Sequence, residues 1–355
     1  MTFQLPDVLA LSILVSLTFY VLLGGADFGG GVWDLLASGP RKREQRSLVA
    51  DAIGPVWEAN HVWLILVVVL LFTCFPPAFA GLGIVLHIPL TLMLIGIVLR
   101  GTAFTFRTYD SKRDDVQRRW GGIFAIASLV TPVLLGVCIG AIASGRVGEA
   151  IESAAAGGFA PGTFRATYVT PWLTPFAFAV GALALALFAF LAAVYLTLET
   201  DDAALREDFR RRALGAAAAV FVSAVAALAL AFVEAPGMGT ALVRSWWSIP
   251  LHVVTGAAAV SAIVALWTRR YAIARIAAAG QATLILWGWG AAQYPLIVPP
   301  EMTIHRAAAP ERTLSLVLGA LVIGALVLFP SLWYLFAVFK RRETAFVPID
   351  GKSRR

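Results

Sequence analysis

Apolar residues follow one another along this chain in runs of about twenty, and most charged residues stand between the runs. The runs fall at about 8–25, 57–75, 78–99, 121–143, 172–198, 213–233, 249–267, 272–298 and 313–339. A helix rising 1.5 Å per residue needs about 20 apolar residues to cross a hydrocarbon core. The pattern predicts an all-α integral membrane protein with about nine transmembrane helices.

The connections between runs alternate in charge. Of the 28 Lys and Arg residues, all but Arg146, Arg165, Arg244, Arg306 and Arg312 follow the first, third, fifth, seventh and ninth runs, Arg100 included. Basic residues near span ends stay on the cytoplasmic side. The N-terminus is therefore expected outside and the C-terminus in the cytoplasm. Runs one to four and five to eight each make two helical hairpins, so the chain divides into a four-helix unit at 1–143, an outer loop at 144–171, a second four-helix unit at 172–298, and a last helix with a basic tail at 299–355. The outer loop is rich in Ala, Gly and Ser and is expected to be loosely packed or covered by a partner.

Composition changes this picture little. The chain is 59% hydrophobic with a mean hydropathy of +0.82, above the apolar content of soluble domains. A net charge of +7 would suit nucleic acid only if gathered on one soluble face; its distribution instead follows topology and anionic headgroups, so no nucleic-acid partner is expected and membrane lipid is. The first run is preceded by Asp7 and lacks a cleavage site, which reads as a span and not a removed signal. Cys74 and Cys138 lie in apolar runs and suit buried free thiols.

Ionisable residues in hydrocarbon cost about 2.5–3.5 kcal/mol each and are the default functional candidates. The glycine-broken end of the first run, Gly24 to Asp34, sets Gly24, Asp27, Gly31 and Asp34 on one helical face. That face suits either a packing notch or a partnered acidic site; GxGxxG spacing is absent, which excludes a dinucleotide loop. Entering the second run, Trp57-Glu58-Ala59-Asn60-His61-Val62-Trp63 places Glu58 and His61 three apart. A carboxylate and an imidazole on one face can hand on a proton, or Glu58 caps the helix within an interfacial aromatic belt. The histidines, His61, His87, His252 and His305, show no paired spacing within one helix that would suit a haem or metal, and no metal ligand is assigned. Trp289, Gln293 and Tyr294 suit an aromatic girdle or a contact surface for a partner helix or isoprenoid tail.

The chain resembles subunit II of the cytochrome bd quinol oxidases over its whole length. The resemblance rests on Gly25-Ala26-Asp27-Phe28-Gly29, Gly54-Pro55-Val56-Trp57-Glu58-Ala59-Asn60-His61-Val62-Trp63, Leu99 to Arg107, Thr170-Pro171-Trp172-Leu173-Thr174-Pro175-Phe176, Ala291-Ala292-Gln293-Tyr294-Pro295 and Phe329-Pro330-Ser331-Leu332-Trp333. It implies a nine-span subunit in the bacterial cell membrane, paired as a heterodimer with a larger subunit I that carries b-type and d-type haems. The pair oxidises quinol and reduces dioxygen to water. The family's second subunit can hold a structural quinone, and the resemblance leaves room for a small third subunit. It implies that Glu58 helps deliver cytoplasmic protons, which makes Glu58, Asp27, Asn60 and His61 the expected proton pathway, and Trp57, Trp63, Trp289, Gln293 and Tyr294 the expected subunit or quinone contacts. The chain departs from its relatives at Thr105, where an acid is common, at Ala141, where Asn would follow Gly140, and at His61, where an acid or Gln is common.

Two other readings compete. A secondary transporter would fit two four-helix units but should carry midplane charges in corresponding positions of both, and the second offers only peripheral acids such as Glu199 and Glu234. An inert assembly scaffold differs from the oxidase reading only in whether Glu58 matters.

Overall fold

The computed structural model describes residues 4–54, 57–109, 114–157 and 163–342. Hydrocarbon offers no partner to a backbone N–H or C=O, so an apolar chain must satisfy these groups within helices, and each of the nine apolar runs is helical over most of its length. The helices are α1 (Leu5–Phe19), α2 (Gly25–Leu35), α3 (Lys42–Ile53), α4 (Trp57–Cys74), α5 (Pro76–Val85), α6 (His87–Tyr109), α7 (Asp114–Ala143), α8 (Arg146–Gly157) and α9 (Thr163–Tyr168). They continue as α10 (Pro175–Leu196), α11 (Ala203–Glu234), α12 (Pro236–Arg244), α13 (Ser248–Trp267), α14 (Tyr271–Gln293), α15 (Ile304–Ala307) and α16 (Glu311–Arg342). A two-stranded antiparallel ribbon, β1 (Leu296–Val298) and β2 (Met302–Thr303), follows α14.

Among the described residues seven helices are long and apolar enough to cross a membrane, or eight if Lys42–Ile53 and Glu58–Cys74 form one bent span. Several starts are set by sequence. Pro76, Pro175 and Pro236 open α5, α10 and α12, where a missing N–H costs nothing. Thr174 and Asp202 cap the backbone N–H groups of Ala177 and of Ala204 and Leu205.

Four expectations need correction. The Gly-rich run does not break the first span: α1 passes through a π-turn at Tyr20–Gly24 directly into α2, giving one helix of 31 residues. The third run divides at Leu86 into α5 and α6, and α6 continues past Arg100, which is 2% exposed and not a residue of a charged connection. The 144–171 segment is not simply loose, because α8 buries Val147 completely and brings Ile151 against Gly81 of α5. The eighth run leaves its helix at Gln293 and enters the ribbon.

Residues 1–308 form one compact unit and 309–355 another. Within the first, α10 is central and packs on α2, α7, α11 and α14. Small residues allow this closeness. A Cβ on Gly136 of α7 would stand 2.6 Å from the Gly181 Cα of α10, and one on Gly29 would collide with the Phe188 carbonyl. The indole of Trp33 donates to the Ala189 carbonyl at 2.8 Å, linking α2 to α10. Phe190, Leu191, Phe209 and Leu266 fill the core around them. In the second unit, α16 carries exposed Leu316, Ile323, Leu326 and Trp333, an apolar surface fit for lipid or a neighbouring helix.

Candidate functional site

The π-turn begins the site. Its extra residue per turn shifts the register of the helix, and such turns recur at functional positions. Immediately beyond it Asp27 points inward at 6% exposure. From α4, Asn60, 3% exposed, donates its side-chain amide to Asp27 Oδ2 at 2.6 Å. His61, one residue on, is half-buried, and its ring lies 6.1 Å from that of Tyr20 and 6.0 Å from that of Phe28.

Arg100 of α6 supplies the opposite charge. Its guanidinium carbon lies 4.6 Å over the Phe28 ring and 5.3 Å over that of Phe124, and it acts electrostatically on Asp27 and Tyr20 without a salt bridge to Asp27 among the described residues. Its Nε and one terminal nitrogen are buried with no hydrogen-bond partner among those residues. Burying one charge alone is strongly unfavourable. Asp27 and Arg100 therefore stabilise each other, while the aromatic faces take part of the cation's solvation.

Of the expected pathway, the structure brings Asp27, Asn60 and His61 together and leaves Glu58 exposed at the start of α4. Asp34 is separate from Asp27: it is 1% exposed and lies 3.8 Å from Arg46 Nε. The shared glycine face is largely packing, since Gly31 meets Ser128 and Gly24 meets Tyr20.

Most of the expected contacts turn inward. Trp63 is 4% exposed and stacks on Phe19 at 4.3 Å. Trp289 packs on the cluster of Ala143, Phe176, Ala231 and Met238. Gln293 is buried and donates to the Ile297 carbonyl at 3.1 Å. Tyr294 is 44% exposed, with its hydroxyl 3.4 Å from Asp7. The Trp57 side chain lies outside the described residues.

Arg100 and Tyr20 were missed by sequence reasoning. Arg100 was grouped with the basic connection, although it lies within α6; its place beside Leu99 inside an apolar helix was the available signal. Tyr20 carried none. The histidines are engaged separately: His87 and His252 each hold a ring nitrogen near a carbonyl of the preceding turn, at 2.8 and 2.7 Å, and His305 lies 3.2 Å from Asp7. Among the described residues no group of three His, Cys, Asp or Glu is placed for a metal ion. Cys74 and Cys138 are free and buried.

A family described as "Cytochrome bd terminal oxidase subunit II" matches residues 5–339. The chain belongs to this family. Over 94% of this chain and 95% of the relative, it is 21% identical to the "Putative cytochrome bd menaquinol oxidase subunit II" of Bacillus subtilis. A second Bacillus subtilis relative, "Cytochrome bd ubiquinol oxidase subunit 2", is 35% identical over 129 residues, 35% of this chain and 37% of that one. The "Cytochrome bd-I ubiquinol oxidase subunit 2" of Escherichia coli K12 is 30% identical over 37% of this chain and 34% of that protein. The closer local matches thus span just over a third of those relatives. A chain in the solved bd oxidase from Geobacillus thermodenitrificans shares the fold, with a TM-score of 0.74 at 22% identity, over 95% of this chain and 99% of that one. The chain is accordingly a multi-pass bacterial membrane protein of the cytochrome bd terminal oxidase subunit II family.

Proposed function

We propose that this chain works as a heterodimer with a larger subunit I in oxidising quinol and reducing dioxygen to water, and that it conducts protons through the Asp27 cluster. The b-type and d-type haems, which carry electrons to dioxygen, are assigned to subunit I, a reading supported by the scattered and separately engaged histidines here. The nine-span topology with the N-terminus outside, and the division into four-helix units at 1–143 and 172–298, are part of the same reading.

The observation that carries it is the buried Asp27 carboxylate held by Asn60 next to the buried Arg100. A charged pair set in apolar surroundings stabilises nothing that packed hydrophobic residues could not, so its chemistry accounts for its presence. Each dioxygen reduced to water consumes protons, and a carboxylate can accept and release one without leaving its place. Glu58, exposed at the start of α4, collects the proton. Asp27 receives it through intervening water, Asn60 holds the acceptor oxygen in position, and His61 extends the chain of exchanging groups. Trp57, Trp63, Trp289, Gln293 and Tyr294 belong to the supporting contacts, with the exposed Tyr294 ring best placed to reach a partner or quinone tail.

The test is co-purification through a tag on this chain, followed by a reduced-minus-oxidised spectrum and quinol-driven oxygen consumption. Haem d absorbance and turnover in wild type, with turnover lost in Asp27→Asn at unchanged haem content, are expected. Full turnover in an assembled Asp27→Asn complex would remove the proton role.

A further inference from the structure

Away from the Asp27 cluster, a pocket of about 430 Å³ opens beside the α13–α14 turn, lined by Arg210, Leu214, Trp267, Thr268 and Arg269. Its walls are of two kinds. Trp267, 73% exposed, ends a membrane-crossing helix, the level at which tryptophan meets the boundary between headgroups and acyl chains. Leu214 adds apolar wall, and Arg210 and Arg269 supply cations at the same level.

Local acids neutralise only part of this charge. Glu207 accepts from Arg210 at 2.8 and 2.7 Å and from Arg211 at 3.2 Å, and Arg269 approaches it at 3.7 Å. One carboxylate thus faces three guanidiniums. The Arg269 side chain remains 69% exposed and can turn to a second anion.

The backbone gives an independent observation. Arg269 has φ 59°, a positive value unique among the described non-glycine residues. The turn is closed by Arg270 N–H to the Ala265 carbonyl at 2.7 Å and Arg269 N–H to Leu266 at 3.3 Å, the helix-ending motif whose left-handed residue is usually glycine. Glycine would close it with less strain. An arginine held there against its backbone preference points to a use for the guanidinium.

We propose that this pocket binds the phosphate of an anionic phospholipid headgroup, with Arg269 and Arg210 donating to the phosphate and Trp267 and Leu214 packing on the glycerol and upper acyl chain. A free phosphate would use only the arginines. A phospholipid uses both kinds of wall.

The test uses the whole oxidase complex, relipidated with photoreactive phosphatidylglycerol or with a phosphatidylcholine analogue of the same acyl chains, followed by peptide mapping. Phosphatidylglycerol is expected to label peptides containing Trp267 or Leu214 in preference to phosphatidylcholine. R269G should lower that labelling about fivefold, the change equivalent to about 1 kcal/mol per basic residue at a membrane surface, while the complex melts no lower, since glycine suits the turn. If R269G melts lower, R269Q takes its place in the comparison. Inorganic phosphate at tens of millimolar should leave the labelling in place. Equal labelling by phosphatidylcholine, labelling indifferent to both Arg269 variants, displacement by inorganic phosphate, or a crosslink to another protein at these peptides would each overturn the proposal.

Discussion

Asn60 on α4 donates to Asp27 on α2 across 2.6 Å in the interior of the bundle. The bond joins two helices and orients a buried carboxylate. Its removal separates the site's structural and chemical contributions. Asn60→Leu keeps the branched shape of Asn, with bulkier methyl groups, but withdraws the donor, and a hydrogen bond to a charged group is worth about 1.5–3 kcal/mol. The purified complex should melt at lower temperature and turn over more slowly. An unchanged melt with unchanged turnover would mean that the bond does neither job.

Glu58 behaves differently because it is exposed. Its side chain holds little structure together, so Glu58→Gln should leave assembly and haem content intact. As a proton collector it should still matter: quinol-driven oxygen consumption is expected to fall about tenfold or more, the scale of a lost acid–base group. Glu58→Asp should retain part of the rate. Normal oxygen consumption in assembled Glu58→Gln would reduce the chain to a scaffold.

The long apolar runs made the helices legible, because hydrocarbon leaves a spanning backbone no other way to satisfy its polar groups. Asp27 was legible as a candidate from the cost of a charge in hydrocarbon, and Asn60 from the family resemblance. Their pairing was not, since it depends on how α2 and α4 rotate against each other. Arg100 was misplaced because basic residues near a span end usually mark a cytoplasmic connection, and only packing between Phe28 and Phe124 shows it to be interior. Trp63 looked like part of an interfacial belt and Trp289 like an outer girdle. Burial against Phe19 and the Phe176 cluster is a tertiary fact.

The α7–α10 contact offers a test of packing alone. A Cβ at Gly136 would lie 2.6 Å from the Gly181 Cα and 2.6 Å from the Val180 carbonyl oxygen, and backbone cannot yield as a flexible side chain can. Gly136→Val should cost about 3 kcal/mol, the upper end for overpacking, read as a lower melting temperature and poor recovery of complex. Wild-type melting would show that these helices separate more readily than their closeness implies.

Orientation can be read by cysteine labelling, with the native thiols buried. Ser38→Cys, on the exposed connection before α3, and Glu152→Cys, on α8, present exposed thiols. An impermeant maleimide added to intact cells should reach Cys at 152 and spare Cys at 38, as the basic connections require. The reverse result would invert the chain.

The π-turn at Tyr20–Gly24 makes chain length in the first span a functional variable. Each residue of an α-helix advances its neighbours by about 100°, so one residue more or fewer ahead of Asp27 would leave a span of serviceable length and hydropathy while swinging the carboxylate away from Asn60. A single-codon insertion or deletion there acts like a slipped gear tooth.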